Sequence, residues 1–173
     1  MKTLILGGAR SGKSLLAERL ATASRLAVHY VATAQALDAE MAERIAHHRA
    51  RRPAAWVDAE APVHLARTLR EHAAPDRCVL VDCLTLWLSN VLGVDDGVHF
   101  VHERDALVDT LPALPGDIVF VSNEVGLGIV PMGALTRRYV DEAGRLHQAL
   151  AAACDRVIFV AAGLPLALKG SLP

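Results

Sequence analysis

Short runs of aliphatic and β-branched residues recur along this chain, separated by longer stretches in which apolar residues return with helical spacing. Residues 2–7, 27–32, 78–82, 117–122 and 156–161 read as buried strands, and Pro165-Leu166-Ala167-Leu168 reads as a candidate sixth at a sheet edge. Between them the spacing predicts helices near 13–24, 36–51, 62–73, 84–92, 98–112 and 134–153. Such alternation predicts an α/β fold, with a mostly parallel central sheet and helices on both of its faces. The Pro/Gly clusters at 111–116, 126–133 and 163–173 are loop-sized rather than linkers, and there is no repeat or low-complexity stretch. One domain over 1–173 is therefore expected.

Composition narrows the setting. With 53% hydrophobic residues in a chain of 173, a core on both sides of such a sheet can be filled. A net charge of −1 and a pI near 6.7 leave no overall field to draw the chain to nucleic acid or an anionic membrane, so any basic site must be local. The apolar runs fall short of the roughly 20 residues a membrane helix needs, and the pattern of a signal peptide is missing at the start; a cytoplasmic protein is expected. Cys78, Cys83 and Cys154 are odd in number and lack C-x-x-C spacing, which argues against a disulfide framework or a zinc site built on them. Small buried side chains are the expectation for all three.

The most specific chemical signal follows the first strand. Gly7-Gly8-Ala9-Arg10-Ser11-Gly12-Lys13-Ser14 matches G-x-x-x-x-G-K-[S/T] in full, the P-loop pattern. Glycines let successive backbone N–H groups face one concavity, Lys13 neutralises phosphate charge, and the Ser14 hydroxyl can ligate the Mg²⁺ that accompanies a nucleoside triphosphate. The strand before the motif and the helix after it strengthen the match, since the helix presents its positive N-terminus to an anion.

In an open parallel sheet ligands bind beyond the carboxyl ends of the strands. There, Ala32-Thr33-Ala34-Gln35 is polar enough to hydrogen-bond a nucleotide or to cap the next helix; the two roles suit Thr33 equally, and Asp38 is at least as suited to capping. Val79-Leu80-Val81-Asp82 closes an apolar run with one carboxylate, which in a sheet with a P-loop suits Mg²⁺ held directly or through water. Ser122-Asn123-Glu124 precedes a glycine-containing segment, and Glu124 suits substrate contact or general-base work. The helix around 36–51 carries a second chemical candidate. Leu37, Met41, Ile45 and His48 fall on one stripe, and Arg44, Arg51 and Arg52 lie at i−4, i+3 and i+4 from His48. Guanidinium groups in that frame hold phosphates and lower the imidazole pKa, which keeps a neutral nitrogen available to attack phosphorus. A solvated basic face would share this pattern; His47, one position round and nearer Glu43, is the weaker candidate, and the other six histidines receive no role.

Taken together, Gly7 to Ser14, Ala32-Thr33-Ala34 before the His47-His48 helix, Arg52-Pro53 with Trp56, and Ser122-Asn123-Glu124-Val125-Gly126 through Gly128-Ile129-Val130-Pro131 resemble the bifunctional adenosylcobinamide kinase / adenosylcobinamide-phosphate guanylyltransferase family of cobalamin biosynthesis. The resemblance runs nearly end to end. It implies a RecA-like P-loop domain, assembled as a homotrimer with sites between subunits. It implies phosphorylation of adenosylcobinamide by ATP or GTP, then attachment of GMP from GTP through a covalent GMP–histidine adduct, with the second histidine, His48, as nucleophile. Nucleotide contacts carried over from the family fall on Gly7 to Ser14, on Ala32, Thr33 and Ala34, on Arg49, Ala50, Arg51 and Arg52, and on Glu60 and Asp82; Ser14 and Asp82 would hold Mg²⁺ and Lys13 would act in catalysis.

Two other readings of the P-loop stay open at this level. In a plain kinase of a small metabolite, His47-His48 would be surface only. A regulatory GTPase or nucleic-acid ATPase module is the other, but the N-K-x-D guanine motif is absent and aromatic residues are only 4%, poor material for stacking single strands.

Overall fold

A computed structural model describes residues 1–35, 39–50, 52–94 and 98–172, except that within the helix over 39–50 the side chains of Glu40, Met41, Arg44, Ile45, His47 and His48 are not described. In chain order the elements are β1 (Lys2–Gly7), α1 (Lys13–Ala23), β2 (Ala27–Ala32), α2 (Ala39–Ala50), β3 (Val57–Glu60), α3 (Leu65–His72), β4 (Arg77–Asp82), α4 (Leu84–Leu92), α5 (Val98–Thr110), β5 (Asp117–Asn123), α6 (Ala134–Ala153), β6 (Arg156–Ala161) and β7 (Leu164–Lys169). The strands form one sheet in the order β3-β2-β4-β5-β1-β6-β7. All neighbours are parallel except β6 and β7.

Period-two alternation along the central strands sends successive side chains to opposite faces and so makes two cores. Leu4, Leu6, Val79, Val81, Ile118 and Phe120 meet Leu65, Leu69, Trp87, Leu107 and Leu146 from α3 to α6. Ile5, Leu80, Val119, Val121 and Ile158 face the other way, onto Ala17 and Ala21 of α1. Buried on both faces, these strands have no polar side to show, which is why they read as continuous apolar runs. Burial pushes the thiols of Cys78 and Cys154 up to about 11 and about 12, leaving them as small core side chains. Cys83, expected to be buried too, is only half-buried.

The sheet has seven strands where the runs predicted five or six. Val57-Asp58-Ala59-Glu60 was missed because it is a largely exposed edge strand paired only with β2, with two charged residues among its four. The edge strand suggested over 165–168 is real and spans Leu164–Lys169; it returns antiparallel through Ala162 and Gly163, whose φ of 51° and 79° suit the twist of a two-residue hairpin. Helix α5 stops at Thr110, and Leu111–Ala113 closes as one 3₁₀ turn around Pro112, which lacks the N–H an α-helix interior requires. Among the described residues no helix is long and apolar enough to cross a membrane.

Trp87, fully buried, donates its indole N–H to the Val63 carbonyl at 2.6 Å. Trp87→Phe keeps most of the ring volume but strands that carbonyl, and should cost about 1–3 kcal/mol; Trp87→Ala adds a cavity and should cost about 3–5 kcal/mol. Urea unfolding of the two variants checks both the order and the gap between them.

Candidate active site

The loop after β1 turns tightly enough to need glycine at two places. A Cβ on Gly7 would stand 2.4 Å from the Val160 carbonyl oxygen and 2.6 Å from Ser11 Oγ, and Gly12 has a φ of 98° with Gly163 Cα only 3.2 Å from where its Cβ would be. Arg10 also adopts positive φ, at 55°. The loop is fastened to its surroundings by Gly163 N–H donating to Ser11 O at 2.8 Å and Glu124 N–H donating to Gly7 O at 3.0 Å. Lys13 opens α1 and reaches back to donate to Gly8 O at 3.1 Å. Burial lowers its pKa from the usual lysine range, with Cys83 and Asp82 pulling the other way.

Opposite the loop is a chain of charged and aromatic groups. Asp82, at the end of β4, accepts a hydrogen bond from the Tyr30 hydroxyl at 3.1 Å. Burial, reinforced by Asp82, pushes the Tyr30 pKa far above its ordinary value, so the phenol stays a donor. The Arg52 guanidinium lies 3.4 Å from the centre of the Tyr30 ring, and Trp56 stacks on that ring with centroids 6.4 Å apart. Asp58 holds Arg52 at 2.8 Å and Arg49 at 2.9 Å. Burial works to raise the Asp58 pKa, but hydrogen bonds from the two arginines outweigh it and hold the carboxyl below its usual value.

Between the two walls lies a cleft of about 640 Å³, lined by Ala9 to Leu15 from the loop and α1, by Tyr30, Ala32, Ala34 and Arg52, and by Asp82, Cys83 and Asn123. Three of the lining residues have buried polar atoms without a described hydrogen-bond partner: Ser11 Oγ, Arg52 Nε and Asn123 Oδ1. Such atoms call for a polar occupant. A cationic side chain, a helix N-terminus and a guanidinium group around one cavity make a place for phosphates.

Of the residues singled out in the sequence, Ala9, Arg10, Ser11, Gly12, Lys13, Ser14, Ala32, Ala34, Arg52 and Asp82 are thus brought to one cleft. Gly7 and Gly8 do not line it: Gly7 packs against the Val160 carbonyl and Gly8 O accepts from Lys13. Thr33 is fully buried, and its hydroxyl accepts from Cys83 N–H at 3.0 Å and donates to Cys83 O at 2.7 Å, so its side chain serves the junction of β2 and β4. Glu60 is exposed at the end of β3, opposite Ala32 in register. Arg49 is tied to Asp58, and Ala50 ends α2. His47 and His48 lie in the last turn of α2, their side chains outside those described, and Leu37, Asp38 and Arg51 fall outside the described residues altogether.

The profile of the family described as cobinamide kinase / cobinamide phosphate guanyltransferase matches residues 3–168. The chain belongs to that family. It is 64% identical to the bifunctional adenosylcobalamin biosynthesis protein CobP of Pseudomonas aeruginosa over 170 residues, 98% of each chain, and 41% identical to the bifunctional adenosylcobalamin biosynthesis protein CobU of Salmonella typhimurium over 98% of this chain and all of that one. Among solved structures it is similar to the RadB recombinase, with 15% identity, a TM-score of 0.53 and coverage of 91% of this chain and 73% of that one, a likeness of fold that marks the sheet as RecA-like. The chain is therefore a cobinamide kinase and cobinamide-phosphate guanylyltransferase of adenosylcobalamin biosynthesis.

In this kinase and guanylyltransferase the end of β5 carries a network with a member that sequence reasoning passed over. His147 of α6 is buried; its Nε2 lies 2.8 Å from Ser122 Oγ and its Nδ1 lies 3.6 Å from Glu124 Oε2, while Glu124 Oε1 accepts from Gly126 N–H at 2.6 Å. Thr85 joins the network by accepting from Asn123 N–H at 2.7 Å. As a single histidine His147 has no motif, yet Ala143, Leu146, His147 and Leu150 form one buried stripe at helical spacing, and that stripe is the signal that points it inward. Asp58 carried no signal beyond its place in an exposed alternating tetrapeptide.

Burial holds the His147 pKa below its ordinary value of 6.5, with Glu124 partly opposing. The unfolded chain therefore takes up a proton just below that pH that the folded protein refuses, and stability falls as pH drops through the window. His147→Gln should flatten the fall in melting temperature between about pH 7 and about pH 5. His29 is lowered as well, by burial and by Arg77, so the difference between wild type and variant is the quantity that isolates His147.

Proposed function

We propose that a single domain over 1–173 performs both reactions from one phosphate cradle, Gly7 to Ser14, and that the convergence of Lys13, Ser14, Asp82 and Arg52 on one cleft carries this reading. In the kinase step the aminopropanol hydroxyl of adenosylcobinamide attacks the γ-phosphorus of ATP or GTP; the new O–P bond forms as the bond to the β-phosphate oxygen breaks, and the nucleoside diphosphate leaves. Lys13 and the loop amides stabilise charge moving onto the leaving oxygens. Glu124 takes the hydroxyl proton in preference to Asp82. The oxygen donors of Ser14 and Asp82 suit Mg²⁺, which when bound neutralises phosphate charge beside Lys13.

In the guanylyl step a neutral His48 nitrogen attacks the α-phosphorus of GTP and pyrophosphate departs. The adenosylcobinamide phosphate then displaces the histidine, yielding adenosylcobinamide-GDP. What supports His48 is its position in α2 beside the arginines that Asp58 fixes, one of which, Arg52, lines the cleft. Ala32, Ala34, Arg49, Ala50, Arg51 and Glu60 complete the nucleotide contacts. The homotrimer is carried over from the family resemblance; association as such is supported by the apolar surface of the loop after β5 and of β7, where Ile129 and Met132 are 98% and 94% exposed and Leu164, Leu166 and Leu168 stand out from the edge strand. The enzyme is assigned to the cytoplasm, where its nucleotides are.

GTP labelled at the α-phosphate should leave an acid-labile, base-stable label on the protein, lost in His48→Ala; label retained in full by that variant removes His48 from the role. Lys13→Ala should lower both activities by roughly 100-fold or more. Glu124→Gln should slow phosphorylation of adenosylcobinamide while leaving the labelled adduct intact, and equal loss of both would place Glu124 in nucleotide binding instead. Light scattering on the eluting protein should give three chain masses, shifting to lower mass in Ile129→Asp.

A further inference from the structure

Away from the nucleotide cleft, three ligand-type side chains meet where the start of α3 packs against α5. His64 immediately precedes α3, and His99 and Glu103 stand one turn apart on α5, at i and i+4, so their side chains share a face. His64 Nδ1 is 2.8 Å from Glu103 Oε1, His99 Nε2 is 3.8 Å from the same oxygen, and the two imidazole rings meet edge to face with centroids 5.7 Å apart. The three candidate ligand atoms all lie within 4.8 Å of one another. Ligands of a tetrahedral zinc ion, at bond lengths of about 2.0–2.2 Å, sit about 3.4 Å apart. The separations found here bracket that value.

The chemistry of the three is equally particular. Glu103 is buried, its side chain only 8% exposed, and the partners its carboxylate has in this cluster are imidazoles rather than lysine or arginine. A buried carboxylate needs a cation or several strong donors. His64 is 61% exposed, so an ion can enter from solvent with small movement of one side chain, and a water can take the remaining position.

We propose that His64, His99 and Glu103 bind one divalent transition-metal ion of the zinc class, at a site separate from that of the Mg²⁺-nucleotide. Two imidazoles select such an ion over Mg²⁺ or Ca²⁺, which prefer all-oxygen surroundings. Its role is to staple the segment before α3 to the helical layer. That segment already bears on the cleft: the Asn90 amide donates to Pro62 O at 3.0 Å and to Thr33 O at 2.9 Å, and Trp87 donates to Val63 O. A metal at His64 therefore stiffens the far support of the segment 32–34 without touching nucleotide.

The test uses the full chain, stripped with a chelator and free of nucleotide, titrated with Zn²⁺ against a chromophoric competitor and with Co²⁺ for its visible absorption. One equivalent should bind, unaffected by excess Mg²⁺, and Zn²⁺ should raise the melting temperature. Glu103→Gln and His99→Gln should each weaken Zn²⁺ at least about tenfold, and the His64→Gln/His99→Gln pair should remove the equivalent and the Co²⁺ band. His64→Gln alone changes a largely exposed side chain, so its loss of affinity is read on a folded protein. His102→Gln, exposed on the same helix, should bind as wild type does. Binding weaker than about 10 μM in wild type, or a stoichiometry and Co²⁺ spectrum unchanged in the double variant, overturns the proposal.

Discussion

The loop between β1 and α1 leaves the sheet at a point where nothing larger than hydrogen fits, because Gly7 sits against the end of β6 and the returning Ser11 side chain. The missing Cβ of Gly7 would lie 2.4 Å from the Val160 carbonyl. With β1 wedged between β5 and β6, Gly7 O receives Glu124 N–H from one side while Gly163 N–H, just past β6, holds Ser11 O from the other. The cradle is thus suspended between two neighbouring strand ends rather than standing on its own turn. A loop held this way presents its amides without having to reorganise when phosphate arrives, which is the condition under which fixed dipoles stabilise charge best.

Across the cleft the same economy of placement governs charge. Asp58 holds Arg49 and Arg52, Arg52 lies on the Tyr30 ring, Tyr30 donates to Asp82, and Asp82 faces Lys13. Cation and anion alternate along this path, so a site built for a polyanion is close to neutral when none is bound. A cluster of cations alone would repel itself in a partly buried cavity; the interleaved carboxylates and the aromatic ring remove that cost while leaving Arg52 Nε, Ser11 Oγ and Asn123 Oδ1 for an incoming ligand.

Much of this was legible in the sequence, for reasons that differ by element. β1, β4 and β5 are buried on both faces, so their apolar runs state their structure directly, and the P-loop pattern carries its own local geometry. β3 was not legible because an exposed edge strand of four residues has no apolar run to announce it. Asp58, which sits on that strand, was missed for the same reason, although Arg52 of the cleft and Arg49 of α2 both depend on it. Thr33 was equally suited to ligand or helix cap by type; its two bonds to the Cys83 backbone depend on β2 and β4 being neighbours, a fact of topology rather than of local pattern. His147 required both a helical stripe and the knowledge that β5 lies beneath it.

The two reactions ask one triphosphate to present different phosphorus atoms. An acceptor hydroxyl must lie in line with the γ-phosphorus for one, and the proposed His48 in line with the α-phosphorus for the other. The cradle cannot be the part that adapts, because it is fixed at Gly7, Ser11 and Gly12 by backbone contacts with no slack. Adaptation then falls to the nucleotide's own pose or to the opposite wall, where the links are side chain to side chain: α2 is joined through Arg49 to Asp58, which also holds Arg52 just beyond the helix, on an edge strand paired along one side only. The Arg49–Asp58 pair, whose guanidinium is exposed, exchanges for solvent at little cost, whereas the buried Arg52 and the backbone bonds inside a parallel sheet do not. On the proposed scheme, a rigid phosphate floor facing a wall hung partly on an exchangeable ion pair would let one fold serve both steps, with α2 or the nucleotide moving between them.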